Sequence, residues 1–129
     1  MPGRYLLDST IVVALFRKDP LVEARLAQAE ETLVSVITVG ELYFSAAKSQ
    51  RRAENEAQVA EFAAATQLLG CEEATSRIYG SAKAALRRRG RPIPENDIWI
   101  AATALGHGLT LANRDEHFKE VEGLPQEAW

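Results

Sequence analysis

Short apolar runs separated by polar residues dominate the chain, and their lengths set the expected elements. Tyr5-Leu6-Leu7 is followed at once by Asp8-Ser9-Thr10, after which Ile11 to Phe16 stays apolar until Arg17. This pattern predicts a buried strand, a turn, and a short helix packed all round. Asp19-Pro20 offers a cap and a first-turn proline for a helix to about Glu30, with Leu21, Val22, Ala24, Leu26 and Ala29 inward. Leu33 to Val36 predicts a second strand. Helical spacing returns from Thr38 to about Lys48, and Arg51 to Leu69 predicts one longer amphipathic helix ended by Gly70-Cys71. A further helix is expected from about Ala74 to Arg89, with Gly90 in the left-handed position that follows it. After Pro92 and Pro94 the spacing predicts a helix through Leu105, a Gly106-His107-Gly108 turn, and a strand at Leu109 to Leu111. A last short helix or turn is expected from Asp115 to Glu120.

Strands alternating with helices imply crossover units, an α/β class and a mostly parallel sheet. A chain of 129 residues can bury about two-thirds of its surface around one core, so one domain is expected over residues 1–129. With 15 Lys and Arg against 18 Asp and Glu, the formal charge is -3. That balance excludes nucleic-acid binding by bulk charge, so any such partner must be held locally. The single cysteine, Cys71, excludes an internal disulfide framework and a multi-thiolate metal site, and a reducing, cytoplasmic setting is expected. No apolar segment of signal-peptide length opens the sequence, and none approaches the roughly 18 residues of a membrane span. No membrane partner is expected.

Ligands of open α/β sheets bind beyond the carboxyl ends of the strands, which directs attention to acids after strands. Asp8 follows the first strand, although a turn or helix cap explains it equally well. Glu41 stacks on a helix with Ile37 and Phe44, in or beside an apolar stripe. There an unpaired carboxylate needs a cation, a metal or a proton unless it reaches water at the stripe's edge. Asp97, with Glu95 and Asn96, lies in a first helical turn that favours negative charge. Asp115 follows the late strand by a few residues. All four acids could reach one sheet edge, and converging carboxylates are what Mg²⁺ or Mn²⁺ requires.

Four segments in order carry a resemblance: Tyr5 to Thr10; Thr38-Val39-Gly40-Glu41-Leu42; Pro94 to Ala104, which includes Glu95-Asn96-Asp97-Ile98-Trp99; and Leu111 to Phe118. Together they closely resemble the PIN-domain family, particularly its VapC-like toxins, across essentially the whole chain. The resemblance implies a three-layer α/β/α domain with a short, mostly parallel sheet of four or five strands. It also implies a divalent-metal-dependent endoribonuclease, the toxin of a toxin–antitoxin pair, with Asp8, Glu41, Asp97 and Asp115 as direct or water-mediated ligands of Mg²⁺, for which Mn²⁺ would substitute. RNA, a cognate antitoxin and a second copy in a homodimer are the implied partners. Thr10 would support the site through its hydroxyl. Asn113 stands where the family often has Thr or Ser, and its amide could bond a metal-bound water.

Other features carry less. His107 and His117 are expected at the surface, Cys71 as a small packed residue, and Trp99 in the core or a dimer contact. Residues 74–94 hold Arg77, Lys83, Arg87, Arg88, Arg89 and Arg91 and no acid. The last four either solvate a helix end or contact RNA phosphates or an antitoxin. Two other classes also place an Asp after a parallel strand. An aspartyl phosphatase wants a second Asp where Thr10 stands, and a receiver wants paired acids and a Lys that Asn113-Arg114 does not supply. A catalytically idle PIN fold is disfavoured by the complete acid set.

Overall fold

Polar residues with short side chains start the first helices at strand ends, and this fixes where the chain turns. The computed structural model describes residues 3–129; Met1 and Pro2, the start of the domain expected over 1–129, lie outside the described residues. Strand β1 (Arg4–Leu7) ends on Asp8, whose carboxylate accepts from the Thr10 N–H and caps α1 (Ser9–Phe16). Asp19 accepts from the Leu21 and Val22 N–H groups at 2.9 and 3.4 Å and, with Pro20 behind it, opens α2 (Pro20–Gln28). Strand β2 (Glu31–Ser35) ends on Ser35, whose hydroxyl accepts from the Ile37 N–H at 3.1 Å and opens α3 (Val36–Ala47). Next come α4 (Arg52–Ala64), β3 (Gln67–Leu69), α5 (Glu73–Arg88) and α6 (Glu95–His107). Gly108 closes α6 at φ 64°, a conformation that favours glycine. Strand β4 (Thr110–Asn113), a 3-10 turn (Glu116–Glu120) and β5 (Gln126–Ala128) complete the chain.

The five strands form one sheet in the order β3-β2-β1-β4-β5, with all four pairings parallel. Side chains alternate across it, as a period of two requires. Tyr5, Leu7, Val34 and Ala112 face Ile11, Val12, Val22, Leu42 and Val59 from α1 to α4. Leu6, Leu33 and Leu111 face Ile100, Ala101 and Ala104 of α6 together with Phe118. The result is the three-layer α/β/α arrangement, with five strands at the upper end of the expected number. Among the described residues no helix is long and apolar enough to cross a membrane.

The structure corrects several sequence expectations. The single helix expected from Arg51 to Leu69 stops at Ala64, and Gln67–Leu69 becomes edge strand β3, paired Val34↔Leu68 and Ser35↔Leu69. Thr66 helps to end the helix by turning its hydroxyl back to the Phe62 carbonyl at 2.8 Å. A three-residue strand displays too little alternation to be told from a helix end. The same brevity hid β5, which lies against β4. The helix expected to reach Glu30 ends at Gln28, because Ala29 is extended and the Glu30 N–H is taken by the Gly3 carbonyl at 2.9 Å.

A contrast between two leucines tests this assignment of faces. Leu6 is 0% exposed and Leu68 38%. Leu6→Ala should cost about 2–5 kcal/mol of unfolding free energy, and Leu68→Ala less than about 1 kcal/mol, by urea denaturation. Equal losses would contradict the assignment.

Candidate metal centre

Parallel strands end on the same edge of a sheet, so the segments after β1, β2 and β4 are neighbours in space although far apart in sequence. Asp8 is 2% exposed at that edge, and its N–H donates to the Ala112 carbonyl of β4 at 3.0 Å. Thr10 fixes the carboxylate by donating to Asp8 Oδ2 from its hydroxyl at 2.8 Å and from its N–H at 3.3 Å. The same hydroxyl accepts from the Arg114 N–H at 3.0 Å, so Thr10 ties the acid after β1 to the loop after β4.

Asp97 enters from the first turn of α6 and is 7% exposed. Glu41 comes from the second turn of α3, and its Oε1 is buried without a hydrogen-bond partner. Asp115 caps the 3-10 turn by accepting from the His117 N–H at 2.9 Å. Asn113, 6% exposed, shapes the loop that carries Asp115. Its Oδ1 accepts from the Asp115 N–H at 3.0 Å and its Nδ2 donates to Gln126 Oε1 at 3.4 Å, so both ends of the amide are engaged within the protein.

Every pair among Asp8, Glu41, Asp97 and Asp115 is close enough to interact through charge. Burial raises the pKa of Asp8 despite the opposing bonds from Thr10. Burial and the charges of Asp8 and Asp97 raise that of Glu41, against a favourable contact from the Asn96 side chain. Asp97 is pushed up to about 6, by burial first and by the Asp115 charge second, with the His117 hydrogen bond opposing. Among the described residues no lysine or arginine forms an ion pair with any of the four, whereas His117 meets two of them.

His117 lies at the surface as expected, with its ring half exposed, but the sequence reading missed its contacts: Nδ1 lies 3.1 Å from Asp97 Oδ2 and 3.0 Å from Asp115 Oδ1. Its position two residues after Asp115 was the available signal. Cys71 is exposed rather than packed, because it lies in the loop after the unforeseen β3. Trp99 is partly buried and stacks on Tyr79 with ring centroids 3.9 Å apart, joining α6 to α5. In the basic segment, Arg89 donates to the Glu120 carbonyl at 2.7 Å and pairs with Glu120 and Glu122, and Arg91 reaches Glu120 at 4.0 Å. Arg87 and Arg88 are exposed in the last turn of α5.

The donor set fits a divalent cation. Asp97, Asp115 and His117 each offer a donor atom within 4.8 Å of the others, whereas Asp8 and Glu41 lie outside that close group and are coupled to it through charge. The site also has a buried Glu41 oxygen without a hydrogen-bond partner and no competing ammonium or guanidinium among the described ion pairs. A groove of about 1010 Å³ runs beside it, lined among others by Thr10, Arg17, Glu41, Phe44, Asn96 and Arg114.

The PIN domain family model matches residues 5–124. Ribonuclease VapC2 of Haemophilus influenzae is 37% identical over 129 residues, 98% of each chain. The tRNA(fMet)-specific endonuclease VapC of Shigella flexneri is 30% identical, again over 98% of each. Among solved structures, VapBC-1 from nontypeable Haemophilus influenzae matches with a TM-score of 0.90 at 27% identity, covering 98% of both chains. DNA-bound VapBC from Salmonella typhimurium matches at 0.88 and 26% identity, covering 100% of this chain and 99% of that one.

The strained acids have a consequence for stability. In metal-free protein Asp97 keeps its proton up to about pH 6, against an ordinary value of 3.8, so the folded state binds more protons than the unfolded chain between those limits. Its contribution to stability therefore rises as pH falls through that window and is lost above it, by at most about 3 kcal/mol. Thermal scans in chelator should show metal-free wild type gaining more stability than Asp97→Asn on going from about pH 7 to about pH 5. An identical gain in both would refute the penalty.

Proposed function

The chain belongs to the PIN-domain family and, within it, to the VapC ribonucleases of toxin–antitoxin systems, and we propose that Asp8, Glu41, Asp97 and Asp115 form its catalytic centre for RNA phosphodiester hydrolysis. The observation that carries this reading is the close approach of Asp97 and Asp115 at the carboxyl edge of the sheet, with Asp8 and Glu41 from separate elements within range of their charge. Mg²⁺ or Mn²⁺ held by these acids would supply Lewis acidity to water and positive charge to the phosphate.

The protein's own part is to hold the acids in place and to admit the strand. Thr10 orients Asp8, and Asn113 orients the loop of Asp115. Ionised Asp8, Glu41 and Asp97 repel phosphate, so substrate binding depends on their being neutralised. The adjoining groove gives a route to them. Its Arg114 is set by Asp19 at 3.0 Å, and its Arg17 is exposed. Arg87 and Arg88 extend the cationic surface that we assign to RNA, with Arg89 and Arg91 partly neutralised by Glu120. The inferred protein partner is a cognate antitoxin, since the similar VapBC structures are complexes of that kind. Phe44, 65% exposed, and Val36, 43% exposed, give the groove an apolar rim that such a partner would cover.

Purified protein should cleave RNA with Mg²⁺ or Mn²⁺. Excess EDTA, Asp8→Asn, Glu41→Gln or Asp97→Asn should each lower the rate on the order of 10²-fold or more, with the variants still melting cooperatively. Undiminished cleavage in EDTA would overturn the mechanism. In an Asp8→Asn background that leaves RNA intact, replacing both Arg87 and Arg88 by Ala should flatten the slope of log affinity against log salt by about 1.4, which is about 0.7 for each phosphate that is no longer neutralised. An unchanged slope would remove these two arginines from the RNA surface.

A further inference from the structure

We propose that His117 is a nitrogen ligand of the same centre and that it biases the site toward Mn²⁺ over Mg²⁺. This role rests on the carboxylate centre assigned above and adds a residue that the four-acid pattern does not contain.

Three observations carry it. First, the imidazole points the right atom at the acids: Nδ1 lies 3.1 Å from Asp97 Oδ2 and 3.0 Å from Asp115 Oδ1, and one donor atom from each of the three residues lies within 4.8 Å of the others. Adjacent donors around an octahedral ion with bonds of about 2.1 Å stand about 3.0 Å apart, so these separations suit coordination as well as hydrogen bonding. Second, the backbone that carries the ring is fixed. The His117 N–H donates to Asp115 Oδ1 at 2.9 Å inside the 3-10 turn, so the carboxylate that would share the ion also sets where the histidine starts. Third, among the described residues His117 is the one basic side chain within 4.0 Å of an oxygen of the four acids, and imidazole nitrogen is a common metal donor.

The selectivity follows from the chemistry of the donors. Mg²⁺ is a hard ion bound almost entirely through oxygen, and four carboxylates with water satisfy it. Imidazole nitrogen adds affinity for first-row transition ions, least among them for Mn²⁺, and less still for the harder Mg²⁺. Asp8, Glu41, Asp97 and Asp115 alone would therefore discriminate weakly, and His117 would supply the difference.

The competing role for His117 is a hydrogen-bonding clamp on Asp97 and Asp115. Removing a clamp weakens both ions together, whereas removing a ligand changes their ratio. Calorimetric titration of RNA-free wild type, His117→Ala and His117→Gln with MnCl₂ and with MgCl₂ reads that ratio directly, and the Gln variant keeps a polar side chain over the two acids. The Mn²⁺ to Mg²⁺ affinity ratio should fall on the order of tenfold in both variants. Electron spin-echo spectroscopy of the Mn²⁺-loaded protein should show nitrogen coupling in wild type and in His107→Ala, and none in His117→Ala. An unchanged ratio, or nitrogen coupling that survives His117→Ala, overturns the proposal and leaves the carboxylate centre standing. Failure of wild type to bind either ion would instead overturn the carboxylate reading itself.

Discussion

The cost of holding four carboxylates together at one edge of a sheet organises the rest of this molecule. Asp8 and Asp97 are nearly fully buried and Glu41 hides an unpartnered oxygen, so the fold has surrendered hydration that no protein donor fully replaces. Such a cluster persists only when the scaffold around it is over-determined. Here the scaffold is a sheet with all pairings parallel, packed on both faces, which brings the ends of β1, β2 and β4 to one side without long loops. The local restraints are short and redundant. Thr10 bonds Asp8 twice, the Arg114 N–H bonds Thr10, and Asn113 bonds the loop of Asp115.

The distribution of cations supports the same design. Lysines and arginines pair with acids outside the cluster: Lys83 with Glu95 at 2.8 Å, Arg114 with Asp19 at 3.0 Å, and Arg89 with Glu120 at 3.4 Å. Lys83 and the Tyr79–Trp99 stack fasten α5 to the N-terminal half of α6, two residues from Asp97 in each direction, while leaving that acid itself without a lysine or arginine. Exposed pairs of this kind add little to stability.

Most helix starts, the βαβ order and three of the five strands could be read from the chain, because each is written in local spacing and in a cap such as Asp19-Pro20; Ser35 and Val36, expected inside the second strand, instead cap and open α3. Strands β3 and β5 could not, because three residues show no period and their state depends on a neighbour's free edge. The four acids were legible through the motifs around them. For Asp8, Asp97 and Asp115 alone, a role at a helix start was an equally good explanation, and the structure shows that Asp8 and Asp115 do cap their helical turns while also facing the cluster.

What the sequence by itself determined was the alternation that gives a parallel α/β core, together with the four acids that its motifs single out as candidates, since both depend on which residues follow one another. Only the tertiary structure decided that His117 turns its Nδ1 between Asp97 and Asp115, that Arg89 is taken up by Glu120 and Glu122, and that Cys71 is left outside the core. The physical reason is range. Hydrogen-bonded turns and hydrophobic periods act over a few residues, whereas the meeting of Asp97 with His117 bridges twenty residues of chain and exists only once α6 and the 3-10 turn have packed against the same face of the sheet.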